Sequence, residues 1–478
     1  MISRPPQTPR AQWEGNTVDV AYNRKYVWAV SLVAALGGLL FGYDWVVIGG
    51  AKPFYEKFFG LNDAARQGWA MSCALIGCLA GALISGGLTD RFGRKRPLIL
   101  SAALFAVSSL GTALSAGFAA FVGWRILGGV AIGLASNLSP MYIAEISPAE
   151  MRGKLVSINQ LTIVIGILLA QSVNWLIARP VPPEATAADI LLSWNGQMGW
   201  RWMFGVTAVP SLLFFAGSLA VPESPRWLVK SGFRSRAAEI LGRVGGNSYA
   251  ARAVAEIEST LKSESRKARL QDLLDARLAP VLLLGIGLAV FQQWCGINVI
   301  FNYAEEVFSA AGYKVSDILF NIVITGAVNL AFTFVAIAAV DRAGRRILML
   351  GGAAGLTVIY LALGACYHFQ SRGAHVLLLV VAAIGCYACS LAPVTWVVIS
   401  EIFPNRLRGA AMSVAVTALW AACFILTYTF PLFNRGLGPA GTFWIYSAIC
   451  AAGFLFIWQR LPETRGKTLE QIEKLIVK

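Results

Sequence analysis

Gly87-Leu88-Thr89-Asp90-Arg91-Phe92-Gly93-Arg94-Lys95-Arg96 is answered, with Asp90 and Asp341 251 residues apart, by Val340-Asp341-Arg342-Ala343-Gly344-Arg345-Arg346. Two more pairs follow in the same order. Glu145-Ile146-Ser147-Pro148 with Arg152-Gly153 returns 256 residues on as Glu401-Ile402-Phe403-Pro404 with Arg408-Gly409. Pro222-Glu223-Ser224-Pro225-Arg226 returns 240 residues on as Pro462-Glu463-Thr464-Arg465-Gly466. Three matched motifs at nearly one spacing describe a duplicated chain. The sequence between the motifs says what was duplicated.

That sequence is apolar. Runs fall at about 27–50, 68–88, 98–117, 119–143, 155–178, 202–221, 280–304, 317–340, 347–368, 375–399, 410–433 and 442–461. Each is near the roughly 20 residues that a helix needs to cross a hydrocarbon core about 30 Å thick. The chain is 57% hydrophobic and only 14% charged, with a mean hydropathy of +0.63. A soluble domain carries roughly 25% charged residues, and one of this length has no way to hide so much apolar surface. The expected fold is an all-α membrane protein: twelve transmembrane helices in two six-helix bundles, with short cytoplasmic surface helices. The halves read as 26–221 and 280–461, joined by a polar linker at 222–279 and flanked by segments 1–25 and 462–478.

The net charge of +15 is not a nucleic-acid signal, because it forms no soluble basic face. Arg91, Arg94, Lys95 and Arg96 follow the second run, Arg152 and Lys154 the fourth, Arg342, Arg345 and Arg346 the eighth, and Arg406 and Arg408 the tenth. The linker is basic throughout. The intervening loops are poor in Lys and Arg. The positive-inside rule therefore predicts that the basic loops and both termini are cytoplasmic. Residues 1–25 are polar and the first run is too long for a signal-peptide core, so that helix serves as an uncleaved insertion signal. Short loops without a large ectodomain fit a bacterial inner membrane.

Few polar residues interrupt the runs, and those few are informative. Asp44 lies in Leu39-Leu40-Phe41-Gly42-Tyr43-Asp44-Trp45-Val46, and Arg125 in Phe121-Val122-Gly123-Trp124-Arg125-Ile126. An ionisable group inside the bilayer is expensive and marks a working site by default. One acid and one base suggest a proton-coupled carrier, although such a pair can also simply hold two helices together. Gln292, Gln293, Asn298 and Asn302 cluster in the seventh run. Amides both donate and accept, which suits a ligand with many hydroxyls and no charge; interhelical hydrogen bonding is the plainer alternative. The eight cysteines fall almost entirely in apolar runs. The Cys386–Cys389 pair has no second pair and no nearby His, so these are packing residues. No metal-ligand cluster, phosphate loop or nucleophile–base set is visible. The sequence predicts neither an enzyme nor a cofactor.

At these motifs the chain resembles the sugar porter family of the major facilitator superfamily, from Tyr26 to Ile476. The resemblance rests on the duplicated loops, on Pro222–Leu228, on Pro462–Leu469, and on Gln292-Gln293-Trp294-Cys295-Gly296-Ile297-Asn298 with Tyr303, a pattern of pentose and hexose carriers. It implies a secondary transporter that moves a monosaccharide by alternating access, with sugar held between the halves; oligomeric state stays open, although a monomer can complete the cycle. It implies sugar contacts from Gln160, Gln292, Gln293, Asn298, Asn329 and Trp396, an outer gate at Tyr303, and proton coupling at Asp44 and Arg125. Facilitative members carry an uncharged residue at the Asp44 position. It also implies a cytoplasmic gate of Asp90, Arg91, Arg94, Glu145 and Arg152, repeated in Asp341, Arg342, Arg345, Glu401 and Arg408. Topology setting by positive charge alone is the plainer reading of the basic members.

The chain departs from the family's xylose carriers at four places. Ala392 replaces a Gly, Leu419 a Gln, Cys423 an amide and Gln171 an aromatic residue. A hydroxyl-reading site that loses an amide loses discrimination at that hydroxyl, so a pentose, a hexose or a polyol remains open. An uncoupled sugar carrier, a sensor and a carrier of organic acids or drugs are the competing classes. Asp44 argues against the first, the short segment after the last run against the second, and the amide-rich seventh run against the third.

Overall fold

A computed structural model describes residues 21–182, 184–263, 279–371, 373–403 and 408–463, with the side chains of 339–343, 400, 408 and 409 outside the description. Asp341, Arg342 and Arg408 therefore lie outside the described side chains, as does the surface helix expected over Thr468–Val477. The described residues are overwhelmingly helical and contain no strand.

The membrane helices are α1 (Arg24–Phe58), α2 (Ala64–Phe92), α3 (Lys95–Ala113), α4 (Phe118–Ile146), α5 (Ala149–Ile177), α6 (Asn195–Ala220), α7 (Ala279–Asn302), α8 (Val315–Ala343), α9 (Arg345–His368), α10 (Ala374–Ile399), α11 (408–437) and α12 (439–460). The last two run on as one helical stretch that turns at Gly438, where φ is +69°. At 1.5 Å per residue such a stretch is about twice the length of one crossing. α6 begins before the apolar run expected at 202–221, because Asn195, Gln197 and Arg201 hide its first turns from a hydropathy reading. Pro225–Lys230 and Arg234–Ser263 are the linker's surface helices, the second kinked at Gly245 and Gly246.

The three duplicated motifs meet in space, once in each half. Gly93 and Gly344 end α2 and α8 with φ of +85° and +91°, a region that glycine enters without a Cβ penalty. Each turn starts a helix whose free amides are capped by a glutamate from the third motif. Glu223 accepts from Arg94 N at 2.7 Å and Lys95 N at 3.2 Å. Glu463 accepts from Arg345 N at 3.0 Å and Arg346 N at 3.1 Å. Carboxylates at helix N-termini are stabilising because unpaired N–H groups and the helix dipole both favour negative charge. The first motif's arginine then reaches the second motif's glutamate: Arg94–Glu145 at 2.7 Å, Arg345–Glu401 at 3.5 Å. The corner fastens three elements of each half at the basic end.

The halves meet along α2–α11 and α5–α8, with α1 crossing near α7. At the end opposite the basic loops these seams are pressed together. A Cβ on Gly68 of α2 would collide with the Tyr428 carbonyl of α11, and one on Gly49 of α1 would come within 2.8 Å of the Phe301 carbonyl. Arg435 donates to the Asn62 carbonyl at 2.8 Å, and Val181 N to Ser316 Oγ at 3.1 Å. Toward the basic end, Gly86 and Gly87 of α2 and Gly153 of α5 face open space.

Candidate functional site

Asp44 and Arg125 find each other. Arg125 Nη1 donates to Asp44 Oδ1 at 2.8 Å, and Nη2 reaches the Asp44 carbonyl at 3.3 Å. Both residues are buried, at 5% and 3% exposure. A buried pair is stable only when charge meets charge and the remaining polar atoms are satisfied. This one is only half satisfied: Asp44 Oδ2 and Arg125 Nε have no hydrogen-bond partner in the protein. Gly128 of α4 adjoins Oδ2, where a Cβ would stand 3.5 Å from that oxygen, in ordinary van der Waals contact. The Phe204 ring lies 5.3 Å from the guanidinium. The pair thus has one good contact and a free carboxylate oxygen between α1 and α4, with an aromatic face from α6 beside the cation, all within the first half.

The amides of α7 form a relay. Asn298 Nδ2 donates to Gln293 Oε1 at 2.5 Å, Gln293 Nε2 to Gln292 Oε1 at 2.5 Å, and Gln292 Nε2 to the Tyr387 hydroxyl of α10 at 2.8 Å. The helix breaks between Gln293 and Asn298 at Gly296, whose φ is +87°. That break lets a glutamine and an asparagine five residues apart meet. On the α11 side Asn298 lies 3.6 Å from Cys423 Sγ, and the Trp294 indole donates to the Ala422 carbonyl at 2.9 Å. The Cys423 departure is therefore in direct contact with the amide run. Leu419 is buried one turn before it.

Gln160 on α5 and Trp396 on α10 are half-buried, and Asn329 on α8 is buried. Their helices adjoin, α5 against α8 and the second half of α10 against α7 and α8. The hydrogen bonds that join α7's amides do not extend to these three side chains. Gln171 is 2% exposed with both amide atoms unpartnered in the protein, and it fills the space over Gly326 of α8. It lies in the α5–α8 seam.

Tyr303 is fully buried. Its hydroxyl donates to the Thr427 carbonyl at 2.6 Å and its ring lies 4.4 Å from Phe430. Of the expected gate residues, Arg94 with Glu145 and Arg345 with Glu401 pair inside their own halves. Asp90 pairs with Lys230 of the linker at 2.7 Å, while Arg91 and Arg152 are exposed.

Three features were not singled out from sequence. Phe41 and Trp45, four residues apart on α1 and flanking Asp44, pack on Trp420 of α11 with both centroid distances 5.9 Å. The i, i+4 spacing of two aromatics beside the acid was the available signal. A cavity of about 10 Å³, near the least that holds one water, lies between Arg125 and Asn302, whose Oδ1 is buried without a partner. A third feature, Lys52 among three glutamates, joins α1 to the segment after α7.

Comparison with known proteins bears on the family and the fold. The family model described as "Sugar (and other) transporter" matches residues 30–476. The D-xylose-proton symporter of Escherichia coli (strain K12) is 40% identical, over 96% of this chain and 97% of its own. The arabinose-proton symporter of Bacillus subtilis (strain 168) is 37% identical, with 96% and 97% covered. A solved structure of the xylose transporter from E. coli, in a partially occluded inward open conformation, superposes with a TM-score of 0.82 at 38% identity, covering 93% of this chain and all of that one. With the fold, the duplicated corners and these matches together, the chain belongs to the sugar porter family of the major facilitator superfamily.

Proposed function

We propose that the protein is a secondary active transporter that imports a monosaccharide together with a proton by alternating access. The observation that carries this reading is the buried Asp44–Arg125 pair at 2.8 Å with one carboxylate oxygen left free. A carboxylate inside a membrane bundle is held ionised by its cation or neutralised by a proton. When Arg125 withdraws, Asp44 takes a proton; when Arg125 returns, the proton leaves. Charge placement puts the basic end and both termini in the cytoplasm. The pressed seams are then extracellular, and the paired Asp44 belongs to the stage after proton release toward the cytoplasm. The inward open neighbour supports that orientation.

The sugar is read by Gln292, Gln293 and Asn298, with Gln160, Asn329 and Trp396 completing the wall. Amides donate and accept toward hydroxyls, and tryptophan offers a face to the C–H side of the ring. Tyr303 helps close the outer side. The corner residues Asp90, Arg91, Arg94, Glu145 and Arg152, with Asp341, Arg342, Arg345, Glu401 and Arg408, close and open the cytoplasmic side. Relatives are named for xylose, for glucose and for arabinose, so both pentoses and hexoses are candidates. Leu419 and Cys423 make the second-half wall more apolar than in the family's xylose carriers, which leaves hexoses and polyols within reach. The protein works as a monomer in the bacterial inner membrane.

Uptake into proteoliposomes tests the reading, with pentoses, hexoses and inositol offered with and without an inward proton gradient. One sugar should accumulate above its external concentration only with the gradient. Asp44→Asn should abolish accumulation while leaving exchange of labelled for unlabelled sugar. Accumulation that survives Asp44→Asn, or sugar that merely equilibrates under the gradient, overturns proton coupling at this pair.

A further inference from the structure

Eight residues beyond Asp44 on the same helix, about 12 Å along its axis, α1 carries a second buried charge. Lys52 is 2% exposed. Its Nζ lies 2.5 Å from Glu306 Oε1, 3.2 Å from Glu56 Oε1 and 3.3 Å from Glu305 Oε2. Glu56 is itself 6% exposed. Lys52 and Glu56 belong to the first half. Glu305 and Glu306 lie in Ala304–Ala310, which directly follows α7 in the second. The cluster is thus an ionic bond between the halves, at the end where Gly49 lets α1 approach the α7 backbone.

Its charges do not balance. One ammonium faces three carboxylates, and Glu306 Oε2 is buried with no hydrogen-bond partner. Among the described residues, the groups around it add no second cation in contact. The Tyr303 ring lies 5.9 Å from Lys52, Tyr55 is hydrogen-bonded to Met71, and Gln67 of α2 donates to Glu56 at 3.3 Å. Lys57 interacts with Glu56 only at longer range. The Asp63 carboxylate is engaged at the start of α2, accepting from the Ala65 and Arg66 backbone N–H groups. Like charges sharing a site hold protons that separate, hydrated carboxylates release. Burial raises Glu306 above the ordinary carboxyl range against the pull of Lys52, and Glu305 and Glu56 push it the same way as burial.

We propose that Lys52, Glu56, Glu305 and Glu306 form a proton-binding latch between the two halves on the face opposite the basic loops. Closing that face takes up a proton from the adjoining solution, and opening it releases the proton. The latch rests on the alternating-access reading given above but not on Asp44. Its sign follows from linkage. The proton is bound more tightly when the latch is closed, so closure is favoured as pH falls from neutral toward the ordinary glutamate value of about 4.3, and is lost as pH rises. In the transport cycle it makes external acidity promote closure of the outer face.

Spin labels at Asn62→Cys and Lys314→Cys, exposed positions on opposite halves, read the opening by pulsed electron resonance, with Cys366, Cys386 and Cys389 replaced by alanine. Without sugar, the closed-to-open ratio should fall at least fivefold between pH 5.5 and pH 8.5, against a limit of about tenfold per pH unit for one proton. The dependence should persist in Asp44→Asn and vanish in Glu305→Gln/Glu306→Gln. Lys52→Met should open the face at pH 8.5 and let it close again at pH 5.5. A ratio indifferent to pH in the otherwise unaltered protein overturns the latch without any latch variant having to fold. So does a pH dependence that survives Glu305→Gln/Glu306→Gln. Uptake is read separately, so a titrating latch in a protein that only equilibrates sugar would sink the symport reading alone.

Discussion

The two halves share their corners and differ in their middles. At the basic end each half fastens an arginine to a glutamate, Arg94–Glu145 and Arg345–Glu401, and caps a helix start with a second glutamate, Glu223 or Glu463. Deeper in, the first half carries a charge pair, Asp44–Arg125, and the second a neutral run, Gln292–Gln293–Asn298. Both partners of the charge pair sit inside one half, so the bond can switch without being torn by the motion between halves. Among the described residues, the amides reach α10 and α11 of their own half. The corner is kept in both halves and the middles differ: a charge pair in the first, and in the second a run of neutral amides that we propose reads the sugar's hydroxyls.

Breaking the charged side should give the largest effect. Arg125→Leu leaves Asp44 buried without its cation, a change that costs about 3–5 kcal/mol when a buried pair loses one member. Thermal unfolding in detergent at pH 8 should show the loss. Acidification neutralises the orphan carboxylate, so the deficit should shrink at pH 5. Adding Asp44→Asn should restore most of the stability and none of the coupling. An Arg125→Leu protein as stable as the wild type at pH 8 would mean that the pair is not the isolated charge unit described here.

Breaking the neutral side should cost less and in a different currency. Asn298→Ala removes the donor to Gln293 and leaves a buried acceptor unpaired, worth about 1–3 kcal/mol, or roughly 5- to 150-fold in sugar affinity. Equilibrium binding of the transported sugar measures it. The pH dependence of uptake at saturating sugar should not move. If it does, the division between a proton half and a sugar half fails.

Most of the fold was legible in the sequence. Run length and a duplicated motif set are long-range, redundant signals, and they yielded the helix count and the two halves. Asp44, Arg125 and the α7 amides stood out because polar groups are rare in apolar sequence. What stayed hidden depends on pairing across the chain. The corners did not reveal that Glu223 and Glu463 cap helix starts, or that Asp90 turns to Lys230 rather than to its neighbouring arginines. Lys52 and Glu56 lie just past the apolar run, where charges read as an ordinary helix end, and their partners Glu305 and Glu306 are about 250 positions away. Gln171, read from sequence only as a departure from the family pattern, is buried against Gly326 in the α5–α8 seam.

The finest test of the division lies at Cys423, where the neutral run ends. Its Sγ is 3.6 Å from Asn298 Nδ2 and the side chain is fully buried. A thiol accepts weakly, whereas an amide both donates and accepts. Cys423→Asn therefore gives the second-half wall a new hydroxyl reader beside Asn298. One added neutral hydrogen bond is worth about 0.5–1.5 kcal/mol, so the preference between sugars that differ at a single hydroxyl should change roughly two- to tenfold. Competition of a pentose and hexose panel against the transported sugar reads the change as a ratio of inhibition constants. Overpacking in a buried position would lower all sugars together and leave the ratios intact. A selective change places Cys423 on the sugar side of the wall; a uniform loss makes it packing behind Asn298, and moves the boundary of the sugar site back to the amides themselves.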